Sequence, residues 1–215
     1  MSIFRFITIA AASLLAGFAF AGEGGAAPAT AQLPPDALVQ SVTEDVLKLL
    51  KQNSGKEGNT QETIDLVEAR VLPHFNFQHM TALAVGREWS KASAQQREML
   101  AQQFHDLLVR TYANSVTSYR EQKVRYKPFK MKPEDTDVLV RTEILQPGAR
   151  PIQLDYSLEK MESGWKVYDV MVAGVSLVIN YRASFGEEIR KGGIDGLIKA
   201  LRDKNASLKK DAGKP

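Results

Sequence analysis

The chain has 215 residues, 28 Lys and Arg against 25 Asp and Glu, and no cysteine. That length allows one domain with a hydrophobic core, or two small layers. The scattered charge lacks the dense basic stripe of a nucleic-acid binder, so no nucleic-acid partner is expected, and the absence of cysteine excludes a disulfide-stapled scaffold.

The first residues read as an export signal. Arg5 supplies a positive start, Ile7 to Phe20 is an apolar run, and Ala19-Phe20-Ala21 fits the small-x-small cleavage pattern. The run falls short of the roughly 20 residues that a membrane span needs. A signal peptide over 1–21, cleaved near Ala21, is therefore expected, with no following cysteine to carry a lipid anchor. An exported, soluble chain without disulfides suits the bacterial periplasm. Residues 22–34 are mostly Ala, Gly and Pro and read as a disordered lead-in. One domain over 35–208 and a basic tail over 209–215, with Lys209, Lys210 and Lys214, complete the division.

Pro34 and Pro35 open a first helix with an apolar stripe of Leu38, Val42, Val46 and Leu49 or Leu50. A second follows, with Thr60 as its cap and Ile64, Val67 and Val71 on its buried face, and Pro73 ends it. His74 to Val85 reads as a short helical piece carrying Phe75, Phe77, Met80 and Leu83; Gly86 closes it and Trp89 lies in the connection. Ser93 and Gln96 then form a capping box. Behind it Leu100, Phe104, Leu107, Leu108, Tyr112, Val116 and Tyr119 recur at spacings of three and four. So long a stripe of large side chains must face a sheet or a cavity.

After Arg120 the period becomes alternating. Val124, Tyr126 and Phe129 make a first strand, which Pro128 pushes toward a sheet edge. Val138, Val140, Thr142 and Ile144 follow as a second. In the third, Ile152, Leu154, Tyr156 and Leu158 alternate with Gln153, Asp155, Ser157 and Glu159, giving one buried and one wet face. Trp165 to Val172 is the fourth. Gly174 breaks that run, and Ser176 caps a helix carrying Leu177, Tyr181 and Phe185. Gly192-Gly193 separates it from a last helix with Ile194, Leu197, Ile198 and Leu201. Four strands joined by short turns between helical segments form an antiparallel meander in an α+β layout. Gly86 and Gly174 stand where one element hands over to another and are expected to act as joints.

Chemistry is sparse. His74 and His79 are five residues apart, a poor spacing for shared ligation from one helix, so no metal site is expected from them or from His105. Ser176 starts a helix and reads as a cap rather than a nucleophile. By alternation Asp169 shares a face with Trp165, Val167 and Met171. An acid among apolar neighbours suits a general base, as in small cone-shaped α+β isomerases, or a hydrogen-bonded structural acid. The alternative function is thus an isomerase or hydrolase of small molecules using Asp169. Periodicity alone does not separate a filled apolar core from a lined cavity.

The stretch Gly164-Trp-Lys-Val-Tyr-Asp-Val, with Gly174-Val-Ser-Leu-Val, Asn180-Tyr-Arg, Phe185 and Gly193-Ile-Asp-Gly-Leu-Ile, resembles the signature of the MlaC family of periplasmic phospholipid-binding proteins. Leu83-Ala-Val-Gly, with Trp89 and Ala92, and Phe104-His-Asp-Leu-Leu-Val-Arg-Thr-Tyr-Ala are similar to it as well. The resemblance spans roughly Leu38 to Leu201. It implies an antiparallel four-stranded sheet of NTF2-like type packed against a helical subdomain around an apolar pocket. It implies a bound glycerophospholipid as ligand, no other cofactor and no catalytic residues. It also implies a monomeric shuttle between an outer-membrane lipoprotein–porin complex and an inner-membrane ABC transporter with an MCE-domain subunit. From the faces above, the lining is expected from Phe75, Phe77 and Met80, and from Leu100, Phe104, Leu107, Leu108, Tyr112, Val116 and Tyr119. The sheet adds Val140, Leu154, Tyr156, Val167 and Val170, and the last segment adds Val175, Val178 and Tyr181. Arg182 is the one cation of the signature placed to stand near a headgroup, and a structural salt bridge is the role expected ahead of that one.

Overall fold

Pro35 fixes the first turn of α1 (Pro35–Asn53), and Asp36 places a negative charge at its N-terminus, where the helix dipole favours one. A computed structural model describes residues 33–53, 65, 68–117, 123–145 and 148–212, with side chains at 33–48, 65, 68–112, 123–145 and 148–210. The expected signal peptide, most of the lead-in and, in the second expected helix, Thr60, Ile64 and Val67 lie outside the described residues, as do the side chains of Leu49, Leu50, Val116 and Tyr119; Asp65 and residues 68–70 of that helix are helical.

Leu72–His74 forms a single 3₁₀ turn, and Phe75 is extended, bridging Val167 in parallel. The helix expected from His74 begins later, as α2 (Phe77–Val85), because Asn76 is its N-cap: Oδ1 accepts from the His79 N–H at 3.1 Å. The Asn76 amide also donates to Glu159 Oε1 at 2.8 Å, and its backbone N–H reaches Val167 O at 2.8 Å, so the cap ties α2 to the sheet. Replacing Asn76 by alanine is expected to cost ~1–2 kcal/mol, from one lost cap and one lost cross-link. Urea denaturation checks this, and an unchanged midpoint would show that the helix end is held without the side chain.

The capping box forms as expected. Ser93 N–H donates to Gln96 Oε1 at 3.0 Å and Gln96 N–H to Ser93 Oγ at 3.1 Å, opening α3 (Ala94–Thr117). The last helix, α4 (Arg182–Ala212), breaks at Gly192 and Gly193, where φ is −140° and +68°. Lys209 and Lys210 belong to its final turns.

Among the described residues the sheet has five strands rather than four. They are β1 (Lys123–Tyr126), β2 (Asp137–Leu145), β3 (Ile152–Met161), β4 (Gly164–Val172) and β5 (Val175–Ser176), antiparallel in sequential order. The fifth arises because Ala173 and Gly174 both take positive φ, 50° and 83°, which closes a two-residue hairpin and folds Val175 back onto Val172. Gly174 thus turns a hairpin where the sequence suggested a direct passage from strand to helix. Ser176 does not cap a helix as expected: its Oγ accepts from Ile179 N–H at 2.9 Å, but the N-cap position of the 3₁₀ turn Ile179–Tyr181 is Val178, and α4 begins only at Arg182.

A second departure lies between β3 and β4. Leu158 pairs with Val167 but Ser157 with Asp169, so Tyr168 is an extra residue in β4. Such a bulge reverses which residues share a face beyond it. Trp165 and Val167 lie on the face of Leu158, whereas Asp169 and Met171 lie on the face of Ser157 and Asp155. Simple alternation had put Asp169 with Trp165. Asp155, expected on a wet face, is 5% exposed.

The core is in two parts. One is helical, with Met80 of α2, Leu100, Phe104 and Leu107 of α3, and Phe185, Leu197 and Leu201 of α4. The other joins Leu38 and Val39 of α1 to Val138, Val140, Leu158, Trp165 and Val167 of the sheet. Phe75 packs against both.

Candidate functional site

Cross-strand neighbours share a face, so the register converts the strands into rows across the sheet. Val138, Leu158 and Val167 form the first row, Val140, Tyr156 and Val170 the second, and Tyr126, Thr142, Leu154 and Val172 the third. Val124, Ile144 and Ile152 form the fourth. The first row is buried and packs with Leu38 and Val39 of α1. Cover then thins: Leu154, Val172, Ile144, Ile152 and Val124 are all half-buried. The result is an apolar sheet face, covered at one end by α1 and partly open at the other, with no charge in its rows. Apart from the hydroxyls of Tyr126, Thr142 and Tyr156, its rows are hydrocarbon.

The expected lining residues divide between this face and the helical core. Val140, Leu154, Tyr156, Val167 and Val170 lie in the rows just described. Met80, Leu100, Phe104, Leu107, Leu108 and Val178 are buried in the helical cluster, with Phe77, Tyr112 and Tyr181 packed against it. Phe104 has no exposure and meets Tyr181 and Phe185 edge-on, with centroids at 5.1 Å and 5.2 Å. Burial among these rings pushes the Tyr181 phenol up to about 12, Tyr112 adding to the effect. Val175 stands 58% exposed at the hairpin. The register also brings in Tyr126, Ile144, Ile152 and Val172, which the expected lining lacked. Their alternation was visible in the sequence; the pairing that aligns them was not.

The signature cation serves the fold. Arg182 donates from Nε at 3.1 Å and from Nη2 at 2.7 Å to the carbonyl of Leu83, near the C-terminal end of α2 where cations are favoured. Asp169, 8% exposed, accepts through Oδ1 from Val170 N–H at 2.8 Å and Val178 N–H at 3.4 Å. Its carboxylate holds the segment after β5 against β4. On the same side, Tyr168 stacks on His79 at 4.3 Å and His79 Nδ1 lies 2.9 Å from Glu159. Burial, with Asp137 nearby, raises the Tyr168 phenol to about 12.

A cleft of about 390 Å³ opens between the start of α2, α3 and the β3–β4 turn. Phe75 and Phe77 contribute to it, but Asn76, Gln78, Glu98, Gln102, His105 and Lys166 make much of its wall polar. That mixture suits water better than acyl chains. Among the described residues no cluster of His, Asp or Glu is arranged to hold a metal ion, and no helix is long and apolar enough to cross a membrane.

Comparison with known proteins bears on what the open face holds. The sequence pattern of the family described as MlaC protein matches residues 40–203. The intermembrane phospholipid transport system binding protein MlaC of Haemophilus influenzae is 30% identical over 180 residues, covering 81% of this chain and 83% of that one. The toluene tolerance protein ttg2D of Pseudomonas putida is 24% identical over 167 residues, 77% of each chain. Among solved structures, the phospholipid-binding protein from Ralstonia solanacearum, in complex with a phospholipid, is similar with a TM-score of 0.75 and 37% identity. That match covers 82% of this chain and 99% of the other.

Proposed function

Because this chain belongs to the MlaC family, we propose that it is a periplasmic carrier that shelters the acyl chains of a glycerophospholipid and moves lipid between the two membranes. The half-open apolar sheet face supports this reading most directly, and relatives that bind or transport phospholipid support it independently. Two acyl chains carry about 30 methylenes, and exposing each to water costs ~0.8 kcal/mol, so a lipid alone in water faces a barrier on the order of 20 kcal/mol. A protein face that replaces water along the chains removes most of that barrier and needs no reactive group. Accordingly the protein is a carrier rather than an enzyme.

Residues 1–21 act as the export signal and 35–208 as the lipid-binding domain. The sheet is of NTF2-like type, which the bend that a bulge brings to β4 supports. The carrier works as a monomer. It collects lipid at an outer-membrane lipoprotein–porin complex and delivers it to an inner-membrane ABC transporter with an MCE-domain subunit, so maintaining lipid asymmetry. Protein purified from cells is expected to carry phospholipid in near-equimolar amount, measured by native mass spectrometry and lipid extraction. Lipid-free protein that also takes nothing from phospholipid vesicles would sink the reading.

A further inference from the structure

The half-open end of the sheet carries more than the apolar face itself. β1 and β3 begin at that end, and β4 turns there into β5. Val175 pairs with Val172, so it continues the third row beyond Leu154 and Val172. Four large apolar side chains are exposed among the described residues. Two of them, Val175 at 58% and Ile179 at 40%, lie in this one short segment. Ser176 Oγ keeps the segment tight by accepting from Ile179 N–H at 2.9 Å. The apolar face thus runs past its own edge into water.

Cations flank the same end. Lys123 and Arg125 are exposed at the start of β1, and Arg150 is exposed two residues ahead of β3. Among the described residues, the one carboxylate there that is not buried is Glu143, already held by Lys127 at 2.6 Å and Arg125 at 3.3 Å. Lysine and arginine on an edge strand also deter pairing with another chain. That purpose accounts neither for Arg150, which lies outside any strand, nor for Val175 and Ile179 in water. Neighbouring strands lie about 4.8 Å apart, so the end of a five-stranded sheet is about 19 Å wide. A flat surface can meet the cations and the apolar side chains together over that width. A protein groove would take the apolar tip alone, and an acidic peptide the cations alone. A bilayer with anionic lipid offers phosphate and hydrocarbon side by side, and hydrocarbon is what the open rows suit.

We propose that this end of the sheet docks on the surface of an anionic bilayer. Lys123 and Arg150 meet lipid phosphates, Val175 and Ile179 reach the apolar layer beneath, and lipid passes between leaflet and face without crossing water. This rests on the carrier function above and names the surface across which the cargo moves.

Vesicle flotation tests it. Purified protein is mixed with vesicles containing phosphatidylglycerol or with vesicles of phosphatidylcholine alone, and the floating fraction is measured. The wild type is expected to float with the anionic vesicles and to come off in about 1 M salt, where the screening length falls to about 3 Å. Each cation at an anionic surface strengthens binding about fivefold. Lys123→Glu with Arg150→Glu should therefore weaken it at least about twentyfold, and Ile179→Asp about tenfold. None of these residues belongs to the lipid-binding rows, so both variants should retain phospholipid at the wild-type level, which also shows that they fold. Wild-type protein that ignores anionic vesicles at low salt overturns the proposal before any variant is made. So does flotation that the double charge reversal leaves unchanged, or lipid exchange that occurs only when a membrane protein is present in the vesicles. Protein that holds no lipid in any form would instead overturn the carrier function itself.

Discussion

Replacing Leu154 with glutamate is expected to lower phospholipid binding by a factor of at least about a hundred while leaving the protein folded. Leu154 lies in the third row of the sheet, between Thr142 and Val172, and is half-buried. A carboxylate there keeps part of its hydration as long as the face is empty, so folding tolerates it. Loading strips that water away by laying hydrocarbon against the charge, and an unpaired buried charge costs several kcal/mol. Lipid retained after purification and uptake from vesicles both measure the loss, with far-UV circular dichroism as the control for folding. Wild-type binding by a folded Leu154→Glu protein would mean that the lipid lies elsewhere than on this face.

The second large effect belongs to the helical core. Phe104 is completely buried and makes two edge-on contacts, with Tyr181 and Phe185, which join α3 to the start of α4. Truncating it to alanine removes a large apolar side chain and leaves a cavity that rigid helical neighbours fill only in part. The expected cost is ~3–5 kcal/mol in unfolding free energy, a large share of the about 5–15 kcal/mol that holds a typical domain together. Urea denaturation measures it. A loss below about 1 kcal/mol would show that the ring sits in loose surroundings, contrary to its lack of exposure. Because Phe104 lies in the helical cluster and not in the rows of the sheet, the folded fraction should still take up lipid. The two substitutions thus separate binding from stability.

Local physics made much of this protein legible in advance. Ser93 and Gln96 announced the start of α3, Pro35 the start of α1, and Gly192-Gly193 the break in α4, because caps and breakers act within a turn of themselves. The alternation of Val138, Val140 and Thr142 foretold a strand, which is β2, and all three are buried in it. The motifs from Gly164 to Ile198 carry the resemblance to the family, and through it to a lipid ligand. Long-range pairing decided the rest. The bulge at Tyr168 moves Asp169 to the opposite face from Trp165, and no alternation rule within β4 foretells a residue that its partner strand does not match. The hairpin at Ala173-Gly174 makes a fifth strand because Ala173 accepts a positive φ that its neighbours, not its own preference, impose. Tyr126 carries no mark in the sequence that separates it from any other tyrosine on an edge strand. Its hydroxyl is shielded from solvent only when register sets it opposite Thr142 and α1 folds over the sheet. Periodicity fixes the face on which a side chain lies, but what covers that face is settled by segments far away in the chain, and a binding surface is the part they leave uncovered.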